Sequence, residues 1–585
     1  MRRIINLDGA FLVNIIIHMK DVRNKHNWIK SICINGVIAV TILLFTQMVY
    51  ETNDDYSISL RILEGYSDVF FVNYYLVSAL SAVQRAFPPI NVHVVVMIAA
   101  SFISFVCILK LVMDKSHSRI IDAVSVSVIA LFSFDHYCTI QFTKTAGLVV
   151  CTATVVLLDA FFRKRGMLYY ALGICLLYYG AALRIDGVIV ILAFAGLYCL
   201  KNFVGGKEHL RSLINTRRAI VFLVLIAVMA GCYIPELASR RMNSRNEALL
   251  NYNEYNYYRS ELVDYAKLSD YEEHRDEYKE AGFSKNDIYL IKKWFFDYDG
   301  AASKENMKTL LDIVGQKTEK QESLDTAFRD FLRATKRSIE SQGLNAIHLT
   351  IIALLAVVSL ILSNLRGRVY IISVALMNIS LHIYLFYINR PVYRAIYVVD
   401  VCTVLWFLYA LSETGDLKNA KNAIYKSLYV IAIAAPLLLT VPAYQNTADT
   451  FQKVEKNIMP KELAEFLMKN QQQAFITATR EKRGNPSQLT PWKAPNAELE
   501  RNYIGTGSWG TLSPYMLNKL ANYGMDNPIV DIIDNPKAFF VGNKYTKRII
   551  KYYNKWYADD DRHIEFREYD EVAGIKIWQV ISVEN

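Results

Sequence analysis

Recurrent apolar runs, each near the length needed to cross a lipid bilayer, constrain this chain more than any other feature. A spanning helix uses about 20 residues. Seven such runs fall within 31–234 and four more within 346–443, so about eleven transmembrane helices are expected. Of the 585 residues 53% are hydrophobic and 21% charged, too apolar for a soluble multidomain protein. Roughly eleven spans would use only about 220 residues, which leaves most of the chain for polar parts. The expected fold class is an α-helical polytopic membrane protein.

Residues 1–30 read as a cytoplasmic segment. Its apolar run 11–17 is too short to span and lacks a small-residue cleavage site, so it reads as an interfacial helix rather than a signal peptide. The long polar stretch 235–345 is rich in helix formers and predicts a helical insertion. The stretch 444–585 predicts an α/β domain, with strands expected at 474–479, 528–533, 538–541, 564–569 and 575–581. Residues 69–87, ending at Pro88-Pro89, suit a helix lying on the membrane.

The formal charge of +10, from 65 Lys and Arg against 55 Asp and Glu, is concentrated in short connections. Arg2, Arg3, Lys20, Arg23, Lys25 and Lys30 precede the first span. Basic clusters then recur at every second connection, as at Arg163-Lys164-Arg165. Such a bias marks the cytoplasmic side. The amino terminus is therefore expected inside, with 51–91, 135–144, 235–345 and 444–585 outside. Neither long polar region holds a basic tract, so nucleic acid is not an expected partner. All eight cysteines lie in or beside apolar runs and no CxxC or HExxH occurs, which argues against a disulfide-stapled exterior and structural zinc. The glycine-rich stretch from Gly505 to Gly510 is not expected to bind a nucleotide.

The first expected outer loop opens Glu51-Thr52-Asn53-Asp54-Asp55-Tyr56. Carboxylates at the edge of a low-dielectric region can act as a general base or hold a divalent cation such as Mg2+ or Mn2+. Asp54 and Asp55 equally suit a solvated turn or helix cap.

This arrangement of a cytoplasmic amino terminus, one span, an acidic pair opening a large outer loop, many further spans and an outer carboxyl-terminal domain resembles the GT-C superfamily of integral-membrane glycosyltransferases. The resemblance covers most of the chain, but its motif is little more than the acidic pair. It implies transfer of a sugar from a polyprenyl-phosphate carrier to a glycan or glycolipid acceptor, with Asp54 or Asp55 in catalysis and no cofactor required. Such a reaction needs positive charge on the departing phosphate, preferably from arginine. Arg184, Arg390 and Arg394 sit at expected outer boundaries, with Lys144 as a further candidate. The alternatives are an Arg184 to Asp186 ion pair and contacts with lipid headgroups. Tyr255, Asn256 and Arg259, within a tyrosine-rich segment, could form a sugar-binding wall or a helical core. The rival functions are a transporter or flippase for a lipid-linked saccharide and a non-catalytic scaffold.

Overall fold

A computed structural model describes residues 22–116, 118–203, 216–265, 268–317, 323–414, 423–478 and 485–585. The expected interfacial helix at 11–17 lies outside the described residues.

The bundle opens with α1 (Val22–Phe45), followed by β1 (Val49–Tyr50), α2 (Asn53–Glu64) and α3 (Tyr74–Ala86). Next come α4 (Val92–Ser116), α5 (Arg119–Tyr137), β2 (Thr139–Ile140), α6 (Phe142–Arg163), α7 (Met167–Leu183), α8 (Asp186–Phe203), α9 (Thr216–Gly231) and α10 (Tyr233–Asn243). After the insertion it resumes with α16 (Leu344–Leu362), α17 (Leu365–Tyr387), α18 (Tyr393–Leu411) and α19 (Ala423–Lys456). Among the described residues ten helical stretches are long and apolar enough to cross a membrane, α9 and α10 counting as one stretch. The eleventh expected span, α7, is a shorter apolar helix of 17 residues.

Helices α6 and α18 form the centre, with 94% and 89% of their apolar windows buried, whereas α1 and α19 reach only 22% and lie at the periphery. Close approach at the centre depends on small residues. A Cβ on Gly147 of α6 would lie 2.5 Å from Val398 of α18, and one on Gly180 of α7 would lie 2.6 Å from Val150 of α6. The final bundle helix runs on to Lys456, past the expected boundary at 443, with Pro436 and Pro442 inside it.

Residues 51–91 fold into structure rather than an open loop. β1 pairs in parallel with β2, matching Val49 with Thr139 and Tyr50 with Ile140. This clamps the start of the segment beside the start of α6. Helix α3 begins at Tyr74 rather than at 69, because the Asn73 side chain accepts the Tyr75 N–H at 3.0 Å and caps it there.

The insertion is helical: α11 (Glu247–Arg259), a π-helical turn Ser260–Tyr265, α12 (Arg275–Glu280), α13 (Lys285–Lys292), α14 (Lys304–Lys317) and α15 (Leu324–Glu340). The carboxyl-terminal part holds α20 (Lys461–Lys469), β3 (Ala474–Thr477), α21 (Ala497–Arg501), β4 (Tyr503–Gly505), α22 (Pro514–Ala521), β5 (Ala538–Val541), α23 (Thr546–Trp556), β6 (Arg562–Val572) and β7 (Ile575–Glu584). Its sheet order is β4-β3-β5-β7-β6, parallel across the first three strands and antiparallel beyond. The strand expected at 528–533 is a run of turns instead. Asp531 accepts the N–H groups of Asp526 and Asn527 at 2.6 and 2.8 Å, which winds the backbone away from extended geometry.

Insertion and sheet domain share one core. At its polar centre the fully buried Asp297 accepts the hydroxyls of Tyr552 from α23 and of Tyr557, which caps that helix, and the Ala302 N–H at 3.2 Å. Burial holds this carboxyl above its ordinary range, and the hydrogen bonds only partly offset that. Asp297→Ala would take away the acceptor of the Tyr552 and Tyr557 hydroxyls and of the Ala302 N–H, and a loss of about 2–4 kcal/mol is expected. Limited proteolysis should then cleave the insertion at lower denaturant than in the parent protein.

Candidate functional site

The clamped strand pair delivers α2 so that Asp54 and Asp55 occupy its first turn. Adjacent helical residues diverge by about 100°, and the pair accordingly splits. Asp55 is fully buried. Both of its oxygens accept the Phe142 N–H at the start of α6, at 3.1 and 3.2 Å, and one lies 3.2 Å from His93 Nε2. Asp54 turns the other way and lines a cavity of about 680 Å3. Its carboxylate accepts the Trp509 indole N–H at 3.1 Å and the Thr52 hydroxyl at 3.2 Å. The two carboxylates do not converge on one point, and so they do not fit a shared divalent ion. Among the described residues no group of three or more His, Cys, Asp or Glu side chains is arranged to hold a metal.

Four arginines line the same cavity as Asp54: Arg184, Arg259, Arg390 and Arg394. Arg184 caps α7 and pairs with Asp186 at 2.9 Å, the ion pair expected as the alternative to phosphate binding. Arg390 lies in the turn between α17 and α18, 4.0 Å from Asp264 and over the Tyr265 ring at 4.5 Å. Arg394, in the first turn of α18, makes no hydrogen bond or ion pair with any described side chain. It acts on Asp54 through charge alone.

Arg259 enters from the insertion. Its Nε donates to Asn256 Oδ1 at 3.0 Å, and its Nη1 donates to Asp264 Oδ2 at 3.3 Å. Five residues in an α-helix would leave Arg259 and Asp264 about 140° apart, but the π-helical turn has i to i+5 closure and brings them to one side. Asn256 is buried and orients Arg259 from outside the cavity. Tyr255 is fully buried in the core shared with the sheet domain, away from the cavity lining.

Lys144 is not brought to this cavity. It is fully buried in α6, 2.6 Å from Glu51 and 3.1 Å from Asp135, and donates to Thr139 at 2.9 Å. A file of buried ionisable groups continues from it. Asp135 accepts the Tyr393 hydroxyl at 2.7 Å and lies 3.4 Å from His348. His348 lies 4.0 Å from Asp400, which in turn is 2.9 Å from His382. Three members of this file follow cavity-lining residues directly in sequence: Lys144 after Thr143, His382 after Leu381 and Asp400 after Val399.

The floor of the cavity is apolar. Val190 of α8, Leu381 and Leu385 of α17 and Val398 and Val399 of α18 line it. Leu381 and Val399 lie six residues inside the ends of their helices, about 9 Å along the axis, beneath the arginines at those ends. The cavity therefore has a charged mouth and a greasy slot between helices.

Trp509 closes the mouth from the sheet domain. Its ring packs on Arg61 at 4.3 Å, with Tyr515 on the guanidinium at 4.7 Å and Asp68 at 3.8 Å. A Cβ on Gly510 would lie 2.5 Å from the Arg61 guanidinium. The stretch Gly505 to Gly510 spells G-x-G-x-x-G after β4. That motif cradles a pyrophosphate where a helix opens at its end. Here α22 opens only at Pro514, and Ser508 and Trp509 turn into the cavity instead.

Asp54 lies outside the candidate spans. Burial raises its pKa above the ordinary carboxylate range, Arg394 pulls it down and Asp55 pushes it up. A raised carboxyl beside a cation suits a proton acceptor. No family model, curated protein or solved structure matches the chain.

Proposed function

We propose that this chain is a GT-C-like membrane glycosyltransferase that moves a sugar from a polyprenyl-phosphate donor to a glycan or glycolipid on the outer face of the membrane. One observation carries the reading: a single cavity joins four guanidinium groups and three carboxylates, Asp54, Asp186 and Asp264, above an apolar slot, and Arg394 alone among the four has no carboxylate of the described residues in ion-pair range. That composition fits an amphiphile with an anionic head and a hydrocarbon tail.

In the proposed reaction the acceptor hydroxyl oxygen attacks the anomeric carbon. The bond from that carbon to the phosphate oxygen breaks, and the carrier phosphate leaves with the bonding electrons. Asp54 takes the hydroxyl proton. Arg394, the guanidinium with no carboxylate in ion-pair range, is the first ligand for the departing phosphate, with Arg184 and Arg390 beside it. The chain supplies base and cations, so the reading needs no metal or other cofactor.

Arg394→Gln tests both roles of that residue. Loss of a charged hydrogen bond to phosphate is expected to lower kcat/KM about 10- to 100-fold. The base must be ionised, so activity falls as pH drops through the pKa of Asp54. Arg394 holds that pKa down. Its removal should therefore move the acid limb of the kcat/KM profile to higher pH, whereas a purely structural role would leave the limb in place.

A second reading, a transporter or flippase for a lipid-linked saccharide, is favoured by the buried file from Lys144 through Asp135, His348 and Asp400 to His382. Ionisable side chains inside membrane helices often accompany ion-linked transport. Purified protein in vesicles with donor and acceptor on the same side separates the readings. Product formation without lipid movement supports transfer, and movement without product supports transport.

A further inference from the structure

A second cavity, of about 510 Å3, lies toward the other end of the bundle between α1, α5 and α19. The chain runs from the Phe45 end of α1 through β1 to Asp54 and from the Tyr137 end of α5 through β2 to Phe142, both at the first cavity, whereas the second cavity is built on Lys30 of α1 and Arg119 of α5. Its floor is one face of α5, with Arg119, Ala123, Val126 and Ser127 at helical spacing. Ile34 of α1 forms one wall, and Ile433 with Leu437 of α19 forms the other. Small side chains on the floor keep the slot open, and Pro436 interrupts the hydrogen bonding of the wall that carries Ile433 and Leu437.

The charges gather at one end of this slot. Lys30 and Arg119 are exposed, and neither has an ion-pair partner among the described residues. Asp122, beside them, accepts the Ser116 hydroxyl at 2.6 Å. Two cations and one carboxylate leave a net charge of +1 at the mouth. From Arg119 to Ser127 the floor runs about 12 Å along the helix, enough for the upper part of an acyl chain. The flanking helices present apolar residues outward, such as Val37 and Leu438 at 67% and 71% exposure, so the slot is continuous with a lipid-facing surface.

We propose that this groove binds an anionic phosphoglyceride, with its phosphodiester on Lys30 and Arg119 and one acyl chain along the floor of α5. The single negative charge of a phosphodiester matches the +1 mouth, whereas a carrier phosphate monoester bears closer to two. The site is separate from the cavity of Asp54 and does not depend on the function proposed for it.

The test uses full-length protein, delipidated in neutral detergent and offered phosphatidylglycerol or phosphatidylcholine with identical acyl chains, with retained lipid read by native mass spectrometry. Parent protein is expected to retain the anionic lipid preferentially. The double variant Lys30→Ala with Arg119→Ala should lower that retention about 30-fold, the effect of two basic side chains at an anionic lipid surface. Ala123→Phe, which fills the floor and leaves the charges, should lower retention of both lipids. Asp54→Asn should change neither. Equal retention of the two lipids by parent protein, or undiminished phosphatidylglycerol retention in the double variant, overturns the proposal. Displacement of phosphatidylglycerol by an equimolar polyprenyl phosphate also overturns it, because it assigns the groove to the carrier.

Discussion

Asp54→Asn is expected to lower sugar transfer by about 10²- to 10⁴-fold, the usual contribution of a positioned general base, with expression and thermal stability unchanged. Its neighbour should behave in the opposite way. Asp55→Ala removes the acceptor for the Phe142 N–H and the partner of His93, all of them buried. Leaving such groups unpaired costs about 2–5 kcal/mol, so the protein should unfold at lower temperature or fail to accumulate. The measurement is turnover per folded molecule for both variants, normalised by size-exclusion recovery. Equal catalytic loss at equal stability in both would contradict the split of the pair, and full activity in Asp54→Asn would remove the proposed base.

The second large effect concerns Lys144. Replacing it with Met leaves Glu51 and Asp135 without their shared cation inside the bundle. Breaking a buried ion pair from one side costs about 3–5 kcal/mol, whereas replacing all its members is often close to neutral. Lys144→Met is therefore expected to abolish accumulation of folded protein. The triple variant with Glu51→Gln and Asp135→Asn should recover most of it. A phosphate ligand would behave differently: Lys144→Met would fold normally and raise KM for the donor. Detergent-solubilised yield and thermal unfolding of the three proteins decide between these outcomes.

Both predictions turn on features that no linear pattern displays. Asp54 and Asp55 are chemically identical neighbours, and only the phase of α2, set by β1 pairing with β2, decides which one faces the cavity. Lys144 and Arg184 both read as cations near helix ends. One is buried beside Glu51 and Asp135, and the other caps α7 at the cavity mouth. Asp264 reaches Arg259 only through a π-helical turn, for which the segment Ser260 to Tyr265 carries no recognised signal. Trp509 arrives from a domain more than 400 residues farther along the chain.

What the sequence determined by itself is the set of bundle helices, the helical insertion and most strands of the carboxyl-terminal sheet. Hydropathy and alternation are local quantities, and bilayer thickness turns the first into helix length. The exceptions follow the same logic: α7 is short because its apolar run is short, and 528–533 coils because nearby side-chain acceptors outcompete strand pairing. The tertiary structure alone decided which charges share a cavity and which are locked together outside its lining. Side-chain direction depends on helix phase and on packing between distant segments, and neither is encoded at the spacing of neighbouring residues.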